Sequence, residues 1–197
     1  MATIGLKNAH TADITEDNNG NETYGTPEYL AASISANLSI SFAEGKLNAD
    51  DKLYEEVKEF SEGTITLNIA DLYAATAAKL LGSRLDDNGI LVESVEDSAR
   101  APFVALGFEA PRSSGKSEYD WFYRVKFSKG SESYQTKSKD GVTFNTPTIE
   151  GKIYQRNKAL SNGDHPWRAK VVKGESADSA TAIAGWFNAV YEPTFTP

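Results

Sequence analysis

Side chains able to attack a bond, relay a proton or hold a metal are sparse in these 197 residues, and their spacing matches no catalytic pattern. There is no cysteine, which removes thiolate nucleophiles, disulfides, iron–sulfur clusters and cysteine zinc sites together. The two histidines, His10 and His165, are too few for a histidine metal cage, and His165 lies in a turn-like Asp164-His165-Pro166. A serine nucleophile elbow needs G-x-S-x-G, and no such pentapeptide occurs. Neither G-x-x-x-x-G-K-[ST] nor G-x-G-x-x-G is present to cradle a phosphate. A calcium loop with Gly20 as its sixth residue would begin at Thr15 and end at Thr26. With Gly89 sixth it would begin at Arg84, so both fail at ligand positions. Carboxylates are plentiful, as an acid-using hydrolase would need, but abundance is not a spacing. The expectation is a protein that is not an enzyme and has no cofactor and no metal.

Charge is the next source of chemistry. The net charge of −8 and pI near 4.9 argue against tight binding of a phosphate backbone, which depends on clustered Lys and Arg. The charge is also uneven. Residues 44–62 hold seven acids against three bases, and residues 112–139 hold seven bases against three acids. Two solvated faces would account for this. So would head-to-tail pairing of copies, with a basic patch at Arg112, Lys116, Arg124 and Lys126 receiving the acidic segment. No apolar run approaches the roughly 20 residues of a membrane span. The opening MATIGLKNAH lacks a charged start and an apolar signal core, so the expectation is synthesis without export and no membrane partner.

The elements that would carry these residues are mostly strands. SISANLSISF at 33–42 alternates without a break: Ile34, Ala36, Leu38, Ile40 and Phe42 on one side, Ser35, Asn37 and Ser39 on the other. TITLNIA at 64–70 repeats it, with Ile65, Leu67 and Ile69 inward and Thr64, Thr66 and Asn68 outward. YDWFYRVKFS at 119–128 places Tyr119, Trp121, Tyr123, Val125 and Phe127 on one face. In 142–156 the apolar parity switches between Val142/Phe144 and Ile149/Ile153, which predicts a bulge or bend at Pro147. Shorter strands are expected at 2–7, 11–15, 90–95, 102–109 and 167–173. Two helices are expected, one capped by Asp71 and ending at Gly82, the other over 176–191 from Ser176 or Asp178 and carrying Ile183, Trp186, Phe187 and Val190. Turn residues recur at Asn18-Asn19-Gly20, Asp87-Asn88-Gly89, Asp140-Gly141 and Asn162-Gly163. The fold class is mainly β: one domain over 1–197, an antiparallel β-sandwich or barrel with one or two short flanking helices.

Residues 43–61 fit such a sandwich least well. They join two strong strands through a long charged stretch that includes Leu47, Asp50, Asp51, Leu53, Tyr54 and Val57. A connection of this length is uncommon without a function or structure of its own. Leu53, Val57 and Phe60 have helical spacing, and an extended hairpin suits the stretch equally. It is either an arm that buries itself on another molecule or a loop folded back onto its own core.

Several stretches also resemble a known family: TIGLKN at 3–8, TADITEDNNGNETYGTP at 11–27, SANLSI at 35–40, LNIADL at 67–72, APFVALGFEA at 101–110, SSGKSEYDWFYRVKF at 113–127, TFNTPTIEGK at 143–152 and WFNAVYEP at 186–193. In number, order and spacing they resemble the major tail protein, the tail tube subunit, of long non-contractile-tailed bacteriophages. The resemblance implies subunits that form stacked, usually hexameric rings around a lumen. Its implied partners are further copies, a tape-measure protein, tail terminator and initiator proteins, and double-stranded DNA in transit. Its implied location is the virion tail, assembled in the host bacterial cytoplasm. It makes 43–61 the segment that reaches adjacent subunits, and it carries no catalytic residues. A neutral wall of Ser35, Asn37, Ser39, Thr64, Thr66 and Asn68 would suit a conduit that must not hold phosphate. The alternative is a monomeric β-sandwich module binding carbohydrate or serving adhesion, with Tyr119, Trp121 and Tyr123 as an aromatic platform.

Overall fold

The computed structural model describes residues 2–18, 20–134, 136, 144–176 and 179–195. Among the described residues the chain is mainly β, with three short helices. The strands are β1 (Lys7–Glu16), β2 (Glu22–Tyr24), β3 (Glu28–Ala31), β4 (Ser33–Ala49), β5 (Lys52–Ile69), β6 (Arg84–Leu85), β7 (Leu91–Val92), β8 (Phe103–Pro111), β9 (Ser117–Lys129), β10 (Thr148–Tyr154) and β11 (Arg168–Val172). The helices are α1 (Ala74–Leu81), α2 (Asp97–Arg100) and α3 (Ser179–Ala184).

Nine strands make one antiparallel sheet in the order β2-β1-β8-β9-β10-β5-β4, with β3 also on β1 and β11 also on β9. Strands β3 and β4 are separated only by Ala32, yet one pairs with β1 and the other with β5. The sheet therefore curls so that the chain passes at Ala32 from one part of it to another, and the Ala70 amide donates to the Ala32 carbonyl at 2.8 Å, extending the β4–β5 pairing by one step. Curling encloses a core of Ile65, Leu67, Ile69, Val104, Leu106, Phe122, Val125, Phe127, Ile149 and Ile153, with α1 adding Ala77, Leu80 and Leu81. This is the sandwich-like, mainly β fold that alternation predicts, since each inward row is a period-two set.

The opposite face of β8 and β9 carries a second cluster. Ala105, Trp121 and Tyr123 pack there beneath Trp186 and Val190 of the C-terminal segment. The Trp121 indole donates to the Trp186 carbonyl at 3.0 Å, and the Tyr123 hydroxyl donates to the Tyr191 carbonyl at 2.9 Å. The single face expected for 119–128 is thus divided: Tyr119, Trp121 and Tyr123 face this cluster, whereas Val125 and Phe127 face the main core. A bulge is the reason. Val104 pairs with Val125 but Leu106 pairs with Phe122, so β9 gains a residue and its parity flips.

Other expectations shift at their ends. The first strand begins at Lys7, with only an isolated Thr3–Arg112 bridge before it. Expected strand 90–95 shrinks to Leu91–Val92. Helix α1 starts after Tyr73, without a side-chain cap, so Asp71 does not cap it; Gly82 does end it, at φ 77°. Helix α3 stops at Ala184, and Trp186 and Val190 reach their buried positions through turns at Gly185. Strand β10 begins at Thr148, directly after the bend expected at Pro147, and Phe144 before it is exposed. Val142, the Asp140-Gly141 turn, Asn19, Lys137, Lys139 and Asp178 lie outside the described residues.

Candidate functional site

The side chains with catalytic potential are dispersed. The His10 ring stacks on Phe187 at 4.6 Å, with Nδ1 2.9 Å from the Asn8 carbonyl, while His165 Nδ1 lies 3.0 Å from the Arg156 carbonyl. Among the described residues no group of three or more His, Asp or Glu is placed to hold a metal ion. Among the described residues no helix is long and apolar enough to cross a membrane.

Buried charges form structural networks. Arg124 bonds both Glu16 and the fully buried Glu22, and Glu22 also accepts from the Asn157 amide at 3.0 Å. Glu118 accepts from Arg112 and Lys170, and Asp120 pairs with Arg168 at 2.6 Å. Burial alone would push the Glu118 carboxyl up, but the Lys170 and Arg112 contacts outweigh it and hold it below the ordinary glutamate range. At Asp120 burial wins and its carboxyl is raised, despite Arg168.

These pairings dismantle the basic patch expected at Arg112, Lys116, Arg124 and Lys126. Arg112 and Arg124 are neutralised within their own chain, and the residues they flank on β9 are about 20 Å apart at strand rise. Lys126 lies over the Phe103 ring at 5.5 Å and donates to the Ala99 carbonyl. Of these four, Lys116 alone is exposed and makes no ion pair among the described residues.

The aromatic platform of the alternative reading is not on the surface. Trp121 and Tyr123 are fully buried and Tyr119 is half-buried under Phe187.

Residues 43–61 form neither a helix nor a folded-back loop. They are the distal half of the β4–β5 hairpin, paired rung by rung to Ala49–Lys52. Asp50 and Asp51 make the two-residue turn, both at positive φ (50° and 58°), as a turn matched to strand twist requires. Every residue from 41 to 59 is exposed, including Leu47, Leu53, Tyr54 and Val57. Phe60, at the base, stacks on Trp167 at 4.9 Å and marks where the ribbon leaves the body. A two-stranded ribbon with neither face covered has little stability of its own. Cross-strand ion pairs line one face of this one, Lys58 to Glu44 at 2.6 Å and Lys46 to Glu56 at 3.3 Å, and being exposed they add little stability. The Lys58 hydrogen bond keeps the Glu44 carboxyl below its usual range.

The six expected wall residues share one face. Register aligns Ser35 with Asn68 and Thr148; Asn37 with Thr66 and Glu150; Ser39 with Thr64 and Lys152. Paired residues of antiparallel strands point to the same side. Reading single strands missed Glu150 and Lys152, because only sheet order reveals that β10 continues this face. It also missed the edge: Ile34, Leu38 and Phe42 of β4 are largely exposed on the strand that ends the sheet order. Their alternation was visible, but nothing in it said that this flank would lack a cover.

No protein-family model matches this chain, and no curated protein matches it.

Proposed function

We propose that this chain is a structural, non-catalytic subunit that assembles with further copies into stacked rings, hexameric by resemblance, forming the tube of a long phage tail. The tube would pass double-stranded DNA and hold a tape-measure protein, with terminator and initiator proteins at its ends. The observation that carries the reading is the β4–β5 ribbon. It exposes Leu47, Leu53, Tyr54 and Val57 on an element with no core, a cost that disappears when another molecule covers it. The exposed Ile34, Leu38 and Phe42 at the sheet edge support the same reading, because an uncovered apolar edge invites a neighbour. The shared face of Ser, Thr and Asn, whose one cation, Lys152, is paired with Glu62 at 3.5 Å, suits a wall that phosphate slides past. Sedimentation over a concentration series, with and without tail initiator proteins, tests it. Rings or polymers are expected, and a species that stays monomeric under both conditions contradicts it.

A further inference from the structure

The hairpin has two chemically different faces, and the register assigns its paired residues to one or the other, with Tyr54 left opposite no residue by a shift between Leu47 and Asn48. On one face Phe42 pairs with Phe60, Glu44 with Lys58 and Lys46 with Glu56. Its charges satisfy one another, and Lys58 also sits 5.2 Å over the Phe42 ring. The other face pairs Ala43 with Glu59, Gly45 with Val57 and Leu47 with Glu55. It exposes Leu47 (53%) and Val57 (46%) along a low, flat stripe. Among the described residues Glu55 and Glu59 make no ion pair, and neither do Asp50 and Asp51 at the tip. Phe42 and, on the Asn48–Leu53 rung, Leu53 are exposed on the first face as well, so what separates the two is charge: the first is electrostatically complete, and the second has unsatisfied anions beside its apolar stripe.

The body carries one matching pair of cations. Lys116 and Lys173 are exposed and make no ion pair among the described residues. They are neighbours, because the Lys173 amide donates to the Ser117 carbonyl at 2.9 Å and the Lys116 ammonium reaches Gly174. The remaining unpaired cations, Lys52, Arg84 and Lys126, lie apart from one another on the hairpin tip, β6 and mid-β9. Beside Lys173, β11 pairs only with β9, and a groove there is lined by Val171 and Val172 together with Lys170, Arg112 and Glu175, the last two paired at 3.7 Å.

The geometry points to a specific docking mode, which rests on the tail-tube reading. The Leu47–Val57 face of one copy seats on the β11 edge of a second copy, with Glu55 and Glu59 against Lys116 and Lys173. The Glu44–Lys58 ladder turns to solvent. Charge complementarity selects the second copy as occupant, since Glu55 and Glu59 lack cations and Lys116 and Lys173 lack anions among the described residues. The acceptor is thus Lys116 with Lys173, not the 112–139 segment as a whole.

A charge swap tests this. Glu55→Lys with Glu59→Lys should raise the critical concentration for polymerisation at least about tenfold at low salt, through like-charge contacts with Lys116 and Lys173. Lys116→Glu with Lys173→Glu should do the same. Combining all four should restore assembly to within about threefold of the wild type. Lys46→Gln with Glu56→Gln, on the ladder face, should leave assembly unchanged. All these positions are exposed, so the circular dichroism of each variant should match that of the wild type. Wild-type polymers indifferent to all four charges, or double variants that the combination does not rescue, overturn the docking mode alone and assign this face to a different partner. A wild type that never polymerises overturns the tail-tube reading as well.

Discussion

At the scale of the residue, the charges mislead when read along the chain. Arg112 and Arg124 look free in sequence, but Glu118 is six positions from one and Glu22 is 102 from the other, and only the sheet brings them together. Glu118 is depressed below its unfolded value, so its contribution is present above about pH 4.3 and lost as pH falls through the lower folded value. Asp120, raised by burial, works in the opposite sense, losing stability as pH rises through its folded value. Glu118→Gln should therefore cost about 1.5–3 kcal/mol at pH 7. Denaturant melts should show that gap narrowing between pH 5 and pH 3. Close packing gives a second residue-scale prediction. A Cβ on Gly107 would lie 2.7 Å from the Trp121 ring, which is fully buried against the C-terminal segment. Gly107→Ala should destabilise by about 1–3 kcal/mol, read from the urea midpoint of Trp fluorescence.

At the scale of the element, alternation was enough to place both 33–42 and 64–70 as strands; in 64–70 the Ile65, Leu67 and Ile69 row is buried, whereas the Ile34, Leu38 and Phe42 row of 33–42 stays largely exposed. The hairpin that continues them was not legible. Asp50-Asp51 is a weaker turn signal than Asn-Gly, and the mixed spacing of Leu53, Val57 and Phe60 suited a helix as well as a strand. The β9 parity flip was equally hidden, because a bulge is set by the partner strands and not by the residues it displaces. Now that the rungs are known, the arm can be removed cleanly. Glu44 faces Lys58, so replacing 45–57 with Asn-Gly should close the ribbon in a two-residue turn. The melting temperature should stay within a few degrees of the wild type, since no residue of 45–57 belongs to the core, and polymerisation should be lost. A truncated protein that unfolds would place the segment in the stability of the body.

At the scale of the whole molecule, a curled sheet buries one face of each strand and leaves Ser39, Thr64, Thr66 and their neighbours as a continuous polar surface. If this surface lines a conduit, Ser39→Lys with Thr66→Lys would add two cations per subunit to every ring. Tubes should still assemble, because neither residue touches the core, but DNA ejection should slow at low salt and recover as ionic strength rises. Normal ejection by such virions at low salt would place the surface away from the lumen. All of these readings depend on one property, which is that copies of this chain associate through the ribbon and the open edge. Negative-stain electron microscopy of the purified protein, alone and with tail initiator proteins, measures that property directly. The account predicts rings or long hollow tubes of uniform diameter, whereas uniformly monomeric particles under both conditions, at concentrations where tails would assemble, would contradict it.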